Sequence, residues 1–160
     1  MRFALGVKRA LFLAPCLAAG AVWAGESCHT TPAYERMEVR EIVLHLPAGQ
    51  VQRLKARIAD DPAERAAGFQ HICSKDFARN SILFLFEGRV HTAFHMHNVH
   101  GALDIAFLDA EGRVLEVQRM DPYAPGAAPV YYRPAQPFSA ALETEAGQLS
   151  ALKPTHVEYK

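Results

Sequence analysis

Leu103-Asp-Ile-Ala-Phe-Leu-Asp-Ala-Glu-Gly-Arg-Val-Leu-Glu-Val-Gln-Arg-Met120 reads as two strands folded about a tight turn. Leu103 to Leu108 and Val114 to Met120 are rich in aliphatic side chains, and Asp109-Ala110-Glu111-Gly112 between them has the turn chemistry of a hairpin. The same grammar continues on both sides. Upstream, Glu38 to Leu46 is rich in Ile, Val and Leu, Pro47-Ala48-Gly49 punctuates it, and Leu54, Ala56 and Ile58 then alternate with Arg53, Lys55 and Arg57. Strand signals return at Ser81 to Phe86 and Val90 to Asn98, and downstream at Phe138 to Glu143, before Gly147. Residues 121–137 hold prolines at 122, 125, 129, 134 and 137 together with Tyr123, Tyr131 and Tyr132, the composition of an ordered loop and not of a strand.

One stretch changes period. Asp61 stands where it can cap a helix, Pro62 fits the first helical position, Glu64 sits at capping-box spacing and Gly68 marks the end. These signals predict one helix of about two turns. Seven or so strands and one short helix make the chain mainly β, a compact antiparallel sandwich or barrel-like domain.

The segment from Asp61 to Met120 contains D-x-P-x-E-R-x-x-G-F, I-L-F-L-F, F-H-M-H-N and then the hairpin, followed by Asp121-Pro122-Tyr123. In that order it resembles domain-of-unknown-function family 192, over about residue 51 to Gly147. The resemblance implies a compact β-rich sandwich, often exported in bacteria, with no established activity. Phe94, Met96, Asn98, Leu103 and Asp104 keep the family pattern. His95, His97 and Val99 stand where it has Trp, Lys and Thr, and Ala102 stands where it has Pro.

The ends carry a separate message. Arg2, Lys8 and Arg9 precede an uncharged apolar run from Ala10 to Val22 that closes in Val22-Trp23-Ala24. This is the pattern of an export signal at residues 1–24, too short to span a bilayer comfortably. A lipid anchor on Cys16 is the rival reading, weakened by Pro15 before it. Residues 25–37 then read as a loose arm and 38–160 as one β-rich domain, since roughly 135 residues suit a single core. Removal of the signal takes three of 17 basic residues and none of 17 acidic ones, leaving 14 against 17. Such a mildly acidic domain lacks the basic patch that nucleic-acid binding requires. It has no further segment fit to span a membrane, so the expected location is periplasmic or secreted.

Cys28 and Cys73 remain after loss of Cys16, and in an oxidising compartment they are expected to form one disulfide. If Val90 to Asn98 is a continuous strand, alternation puts His91, His95 and His97 on one side and Phe94, Met96 and Asn98 on the other. H-x-H on a strand is a ligand spacing, and His100 can join from the next turn, a set suited to zinc or copper. The same histidines equally suit a wet sheet face without metal. On a hairpin turning at Asp109 to Gly112, Asp104 and Arg119 can lie within reach of each other, as a structural salt bridge or a ligand clamp.

No Ser-His-Asp arrangement, phosphate-cradling glycine loop or dinucleotide motif is present, and no catalytic residue is identified. The expected function is a periplasmic accessory module that binds a small molecule or an envelope protein through Phe94, Met96, Asn98, Asp104 and Arg119. A zinc or copper protein built on the histidines, and an envelope carbohydrate-active enzyme using Asp104 and neighbouring acids, are the alternatives.

Overall fold

The computed structural model describes residues 28–123 and 126–159. The export signal expected at residues 1–24 lies outside them. The elements are α1 (Pro32–Arg36), β1 (Glu38–His45), β2 (Val51–Ala59), α2 (Pro62–Ala67), β3 (Ser81–Val90), β4 (Phe94–His95), β5 (Leu103–Leu108), β6 (Val114–Met120), β7 (Tyr131–Tyr132), β8 (Phe138–Glu145), α3 (Gln148–Leu152) and β9 (His156–Glu158). The protein is mainly β, a curled half-barrel sheet with a few short helices.

The predicted hairpin forms as β5 and β6, in register from Leu103 opposite Met120 to Leu108 opposite Val114. Its turn is organised by Asp109, whose carboxylate accepts from the backbone N–H of Glu111 at 3.0 Å and of Arg113 at 2.8 Å. Burial acts to raise the Asp109 pKa, but these bonds and the Arg113 guanidinium win and hold it below its ordinary value. Gly112, at φ +85°, could carry no side chain, because a Cβ there would lie 2.3 Å from the Val157 carbonyl. That close approach draws the two ends of the sheet together. The Gly112 carbonyl accepts from Val157 N–H at 2.8 Å, and the Thr155 carbonyl accepts from Val114 N–H at 3.0 Å.

Seven strands run β6-β5-β8-β3-β2-β1-β9. All neighbours are antiparallel except β2 and β3. Parallel strands cannot be joined by a tight turn, so residues 60–80 cross over the sheet and lay α2 and a 3-10 turn at Ser74–Arg79 on one face. α2 begins as its sequence predicts: Asp61 Oδ1 accepts from Glu64 N–H at 2.8 Å, and Glu64 reaches back to the Asp61 backbone. This face also collects Phe69, Phe77, Phe84, Met96, Phe107 and Phe138, all buried. On the opposite face Ile42, Leu44, Ile58, Leu83 and Leu142 pack around Leu149 of α3.

Four expectations change. Residues 25–37, read as a loose arm, contain α1, capped by Thr31 and held down by buried Tyr34 and Met37. The Arg57 guanidinium lies 4.3 Å from the Tyr34 ring centre, and the expected Cys28–Cys73 disulfide pins the start of the segment. Second, Val90 to Asn98 is not one strand. Val90 closes β3, residues 91–93 lie in no strand, β4 holds only Phe94–His95, and the chain then turns with Val99 N–H donating to the Met96 carbonyl at 3.2 Å, which leaves both Met96 and Val99 buried. Third, the proline-rich segment contributes β7, which pairs with β4 as a two-stranded ribbon. Fourth, there are three short α-helices among the described residues where the sequence suggests one, and β9 is an unforeseen strand.

Candidate functional site

β8 runs through the middle of the sheet, flanked by β3 and β5. Its Glu143 stands between Ile82 on β3 and Ile105 on β5, so the strand carries a carboxyl group into an otherwise apolar layer. Glu143 is 5% exposed. It makes no hydrogen bond or ion pair with any described residue. Burial without compensation favours the neutral form, and it pushes the Glu143 pKa up to about 8.

The carboxyl opens on a cavity of about 240 Å³, walled by Phe84, Phe86 and Phe94 and bordered by Arg65 and His95. Each wall has a local cause. Phe84 and Phe86 are alternate residues of β3. Phe94 is held by edge contacts with Phe84 at 5.1 Å and Phe107 at 5.8 Å between ring centres. Gly68 ends α2 at φ +45°, 3.5 Å short of the Phe84 ring for an added Cβ, and shapes the side where helix meets sheet.

At the mouth, Arg65 is occupied by the backbone. Its Nη1 donates to the Asp60 carbonyl and to the Leu85 carbonyl at 3.0 Å, and the guanidinium lies 5.3 Å from the centre of the Phe86 ring. His95 Nδ1 accepts from His97 N–H at 3.2 Å, which places the proton of the neutral ring on Nε2. Opposite His95 on the ribbon is Tyr131, 65% exposed. The neighbouring Tyr132 hydroxyl is tied to the Asp121 backbone, and so anchors the proline-rich segment.

The residues proposed from sequence scatter across the molecule. Phe94 and His95 line the cavity. Met96 is buried in the core, and Asn98, at φ +55°, occupies a turn where its carbonyl accepts from His71 N–H at 2.7 Å. Asp104 and Arg119 are cross-strand neighbours as expected, but they do not pair. Asp104 is 1% exposed and accepts from Ser150 N–H at 2.9 Å, whereas Arg119 reaches Asp121 at 2.9 Å on the surface. An exposed arginine is free to turn to water, and a buried carboxylate takes the nearest fixed donor.

The histidines lose their common face with the loss of the strand. His91 Nε2 lies 3.1 Å from the Pro134 carbonyl, His95 and His97 have ring centres 6.3 Å apart, and His100 is partly buried beyond the turn. Among the described residues, no three His, Cys, Asp or Glu side chains form a group able to hold a metal ion.

Glu143 escapes a reading of the sequence. Its only signal is an acid inside an apolar strand, Phe-Ser-Ala-Ala-Leu-Glu, which equally describes a solvent-facing position.

A curled β-sheet carrying one unpaired buried acid beneath an aromatic cavity defines a small β-domain with a ready-made pocket. The chain belongs to DUF192, a family described only as an uncharacterized ACR, whose profile matches residues 28–155. A protein of Sinorhizobium meliloti 1021, provisionally named a transcription regulator, shares 20% identity at a TM-score of 0.63, over 76% of this chain and 94% of its own. A protein of unknown function from Novosphingobium aromaticivorans DSM 12444 shares 21% identity at 0.63, over 86% and 94%. Both likenesses are of fold. No curated protein matches this chain.

Proposed function

We propose that this protein is a binding module of the cell envelope that holds a small ligand in the cavity above Glu143. The observation that carries this reading is the unpartnered carboxyl itself. A carboxyl that no described residue hydrogen-bonds, set where the apolar layer meets a cavity, is free to partner a group that enters from outside. A concave, partly aromatic pocket with a few polar side chains, here Arg65, Gln70, Thr92, His95 and Glu143, is the usual form of a small-molecule site. Binding is favoured over catalysis because, among the described residues, no side chain hydrogen-bonds to the Glu143 carboxyl to form a proton relay.

The envelope location is supported by the Cys28–Cys73 disulfide, which suits an oxidising compartment. It is also supported by the charged and apolar pattern of residues 1–24. Among the described residues no helix is long and apolar enough to cross a membrane.

The test is a screen of small polar and amphipathic fragments against the purified protein by amide NMR. Hits are expected to shift Phe84, Phe94, His95 and Glu143 together, and to weaken in Glu143→Leu. Hits that cluster elsewhere, or that ignore the substitution, would overturn the assignment. N-terminal sequencing of protein recovered from the envelope is expected to begin at Gly25.

A further inference from the structure

We propose that the ligand is a small organic cation, an alkylammonium group seated on the Glu143 carboxylate with its carbon chain among Phe84, Phe86 and Phe94. This rests on the reading of the cavity as a ligand site and names the chemical class that the site selects.

Three observations converge on a cation. The floor of the cavity is an acid with no partner among the described residues. A ligand that brings a positive charge can satisfy that group and needs no other polar contact there. The walls include the rings of Phe84 and Phe94, and of Phe86, which already has the Arg65 guanidinium beside it; phenyl faces carry the negative end of the ring quadrupole and attract ammonium groups, by about 0.5–2 kcal/mol for each good contact. The volume, about 240 Å³, falls below that of pockets for drug-sized molecules, so the ligand is a short chain.

The competing chemistries fit less well. An anionic ligand would meet Glu143 at the floor, and Arg65 at the mouth already spends its Nη1 on two backbone carbonyls. A sugar would bring hydroxyls but no positive charge to Glu143, and would set some of them against the Phe84, Phe86 and Phe94 rings, which neither donate nor accept.

A cation also explains why the floor is an acid that holds its proton when empty. The charged or titratable groups around the cavity are Arg65 from α2 and His95 from β4, while β3 and β5 bring Phe84, Phe86 and Ile105 to the strand that bears Glu143. Glu143 is mostly neutral at pH 7, given its pKa of about 8. Entry of an ammonium ion releases that proton to solvent and leaves an ion pair enclosed by aromatic rings, a geometry in which low polarity strengthens the attraction. Below pH 8 the affinity therefore rises about tenfold per pH unit.

The experiment titrates the purified protein with n-butylammonium chloride, n-butanol and sodium butyrate at pH 6, 7 and 8, following the amides of Phe94, His95 and Glu143 by NMR. Butylammonium is expected to bind at least tenfold tighter than butanol at pH 8, and about tenfold tighter at pH 7 than at pH 6. Glu143→Gln is expected to remove both the preference and the pH dependence. Histidine as a residue type titrates in the same range, so His95→Asn, which should keep the pH dependence, places it on Glu143. If butanol or butyrate binds as tightly at these residues, or butylammonium binds without pH dependence, the cation assignment falls and the pocket stands. If none of the three perturbs the cavity, both fall. The wild-type pH series separates these outcomes even if Glu143→Gln fails to fold.

Discussion

Asp104 and Glu143 are two buried acids on neighbouring central strands, and the fold treats them in opposite ways. Asp104 on β5 is 1% exposed, and one of its oxygens receives the Ser150 N–H at 2.9 Å. Gly147, at the N-cap of α3, has no side chain to bond the orphan amides of the helix start, so Asp104 supplies from the sheet the acceptor that a local cap would provide. Glu143 on β8 is 5% exposed, has no such donor, and faces a cavity. One acid builds the domain. The other waits for something the domain lacks. The contrast makes a carboxyl that meets a cavity without any donor, and not burial, the mark of a functional group, since Asp104 has one oxygen bonded and the other enclosed by the fold.

The largest expected effect breaks or confirms that contrast at Glu143. Its pKa is raised from 4.5 to about 8, so the folded chain keeps a proton that the unfolded chain loses. The resulting contribution to stability is fully present below pH 4.5 and fades as pH rises through about 8, at about 1.4 kcal/mol per pH unit. Glu143→Gln, which cannot ionise, should match the wild type near pH 4 and exceed it at pH 9, by on the order of 4 kcal/mol. Denaturant unfolding of both proteins across this range measures the difference. A variant less stable at every pH would mean that Glu143 has a partner in the fold, and the two acids would cease to differ.

The second effect is at Asp104. Truncation to Ala leaves the Ser150 amide buried without an acceptor, and it should cost about 2 kcal/mol. Loss of amide-exchange protection should be centred on residues 148–152. A neutral Asp104→Ala would make the helix contact incidental.

The legibility of these features follows the range of the interactions that make them. The β5–β6 hairpin and the α2 cap are readable because every residue that decides them lies within a few positions, as with Asp109 and Gly112 or Asp61 and Glu64. The disulfide is readable from compartment and count. The parallel pairing of β2 with β3, the contact of Gly112 with Val157 and the pairing of Asp104 with Ser150 join residues far apart, and no local pattern announces them. Glu143 is hidden for a related reason. Ser139, Ala141, Glu143 and Glu145 alternate with Ala140, Leu142 and Thr144, the pattern of a strand with one wet side. Only the placement of β8 between β3 and β5, against the 3-10 turn Ser74–Arg79, turns the polar side of that pattern inward. The histidine cluster misleads in the opposite direction: its spacing is right for a strand, but residues 91–93 lie in no strand and the chain turns after β4.

The smallest effect is the most discriminating, because it applies to Asp104 the same exchange of carboxylate for amide that Glu143→Gln makes. Asp104→Asn keeps an oxygen for the Ser150 N–H but gives up the negative charge at the start of α3, worth about 0.3–1 kcal/mol in its interaction with the helix dipole. It also puts an NH2 group where the second Asp104 oxygen is now buried without a partner. Both changes act in the same direction, so the substitution should destabilise by roughly 1 kcal/mol at pH 7. Glu143→Gln should stabilise at the same pH. Opposite signs for one chemical change at two similarly buried acids would follow from their different surroundings, a helix start for Asp104 and a cavity without a donor for Glu143. Equal signs would show instead that burial governs both residues.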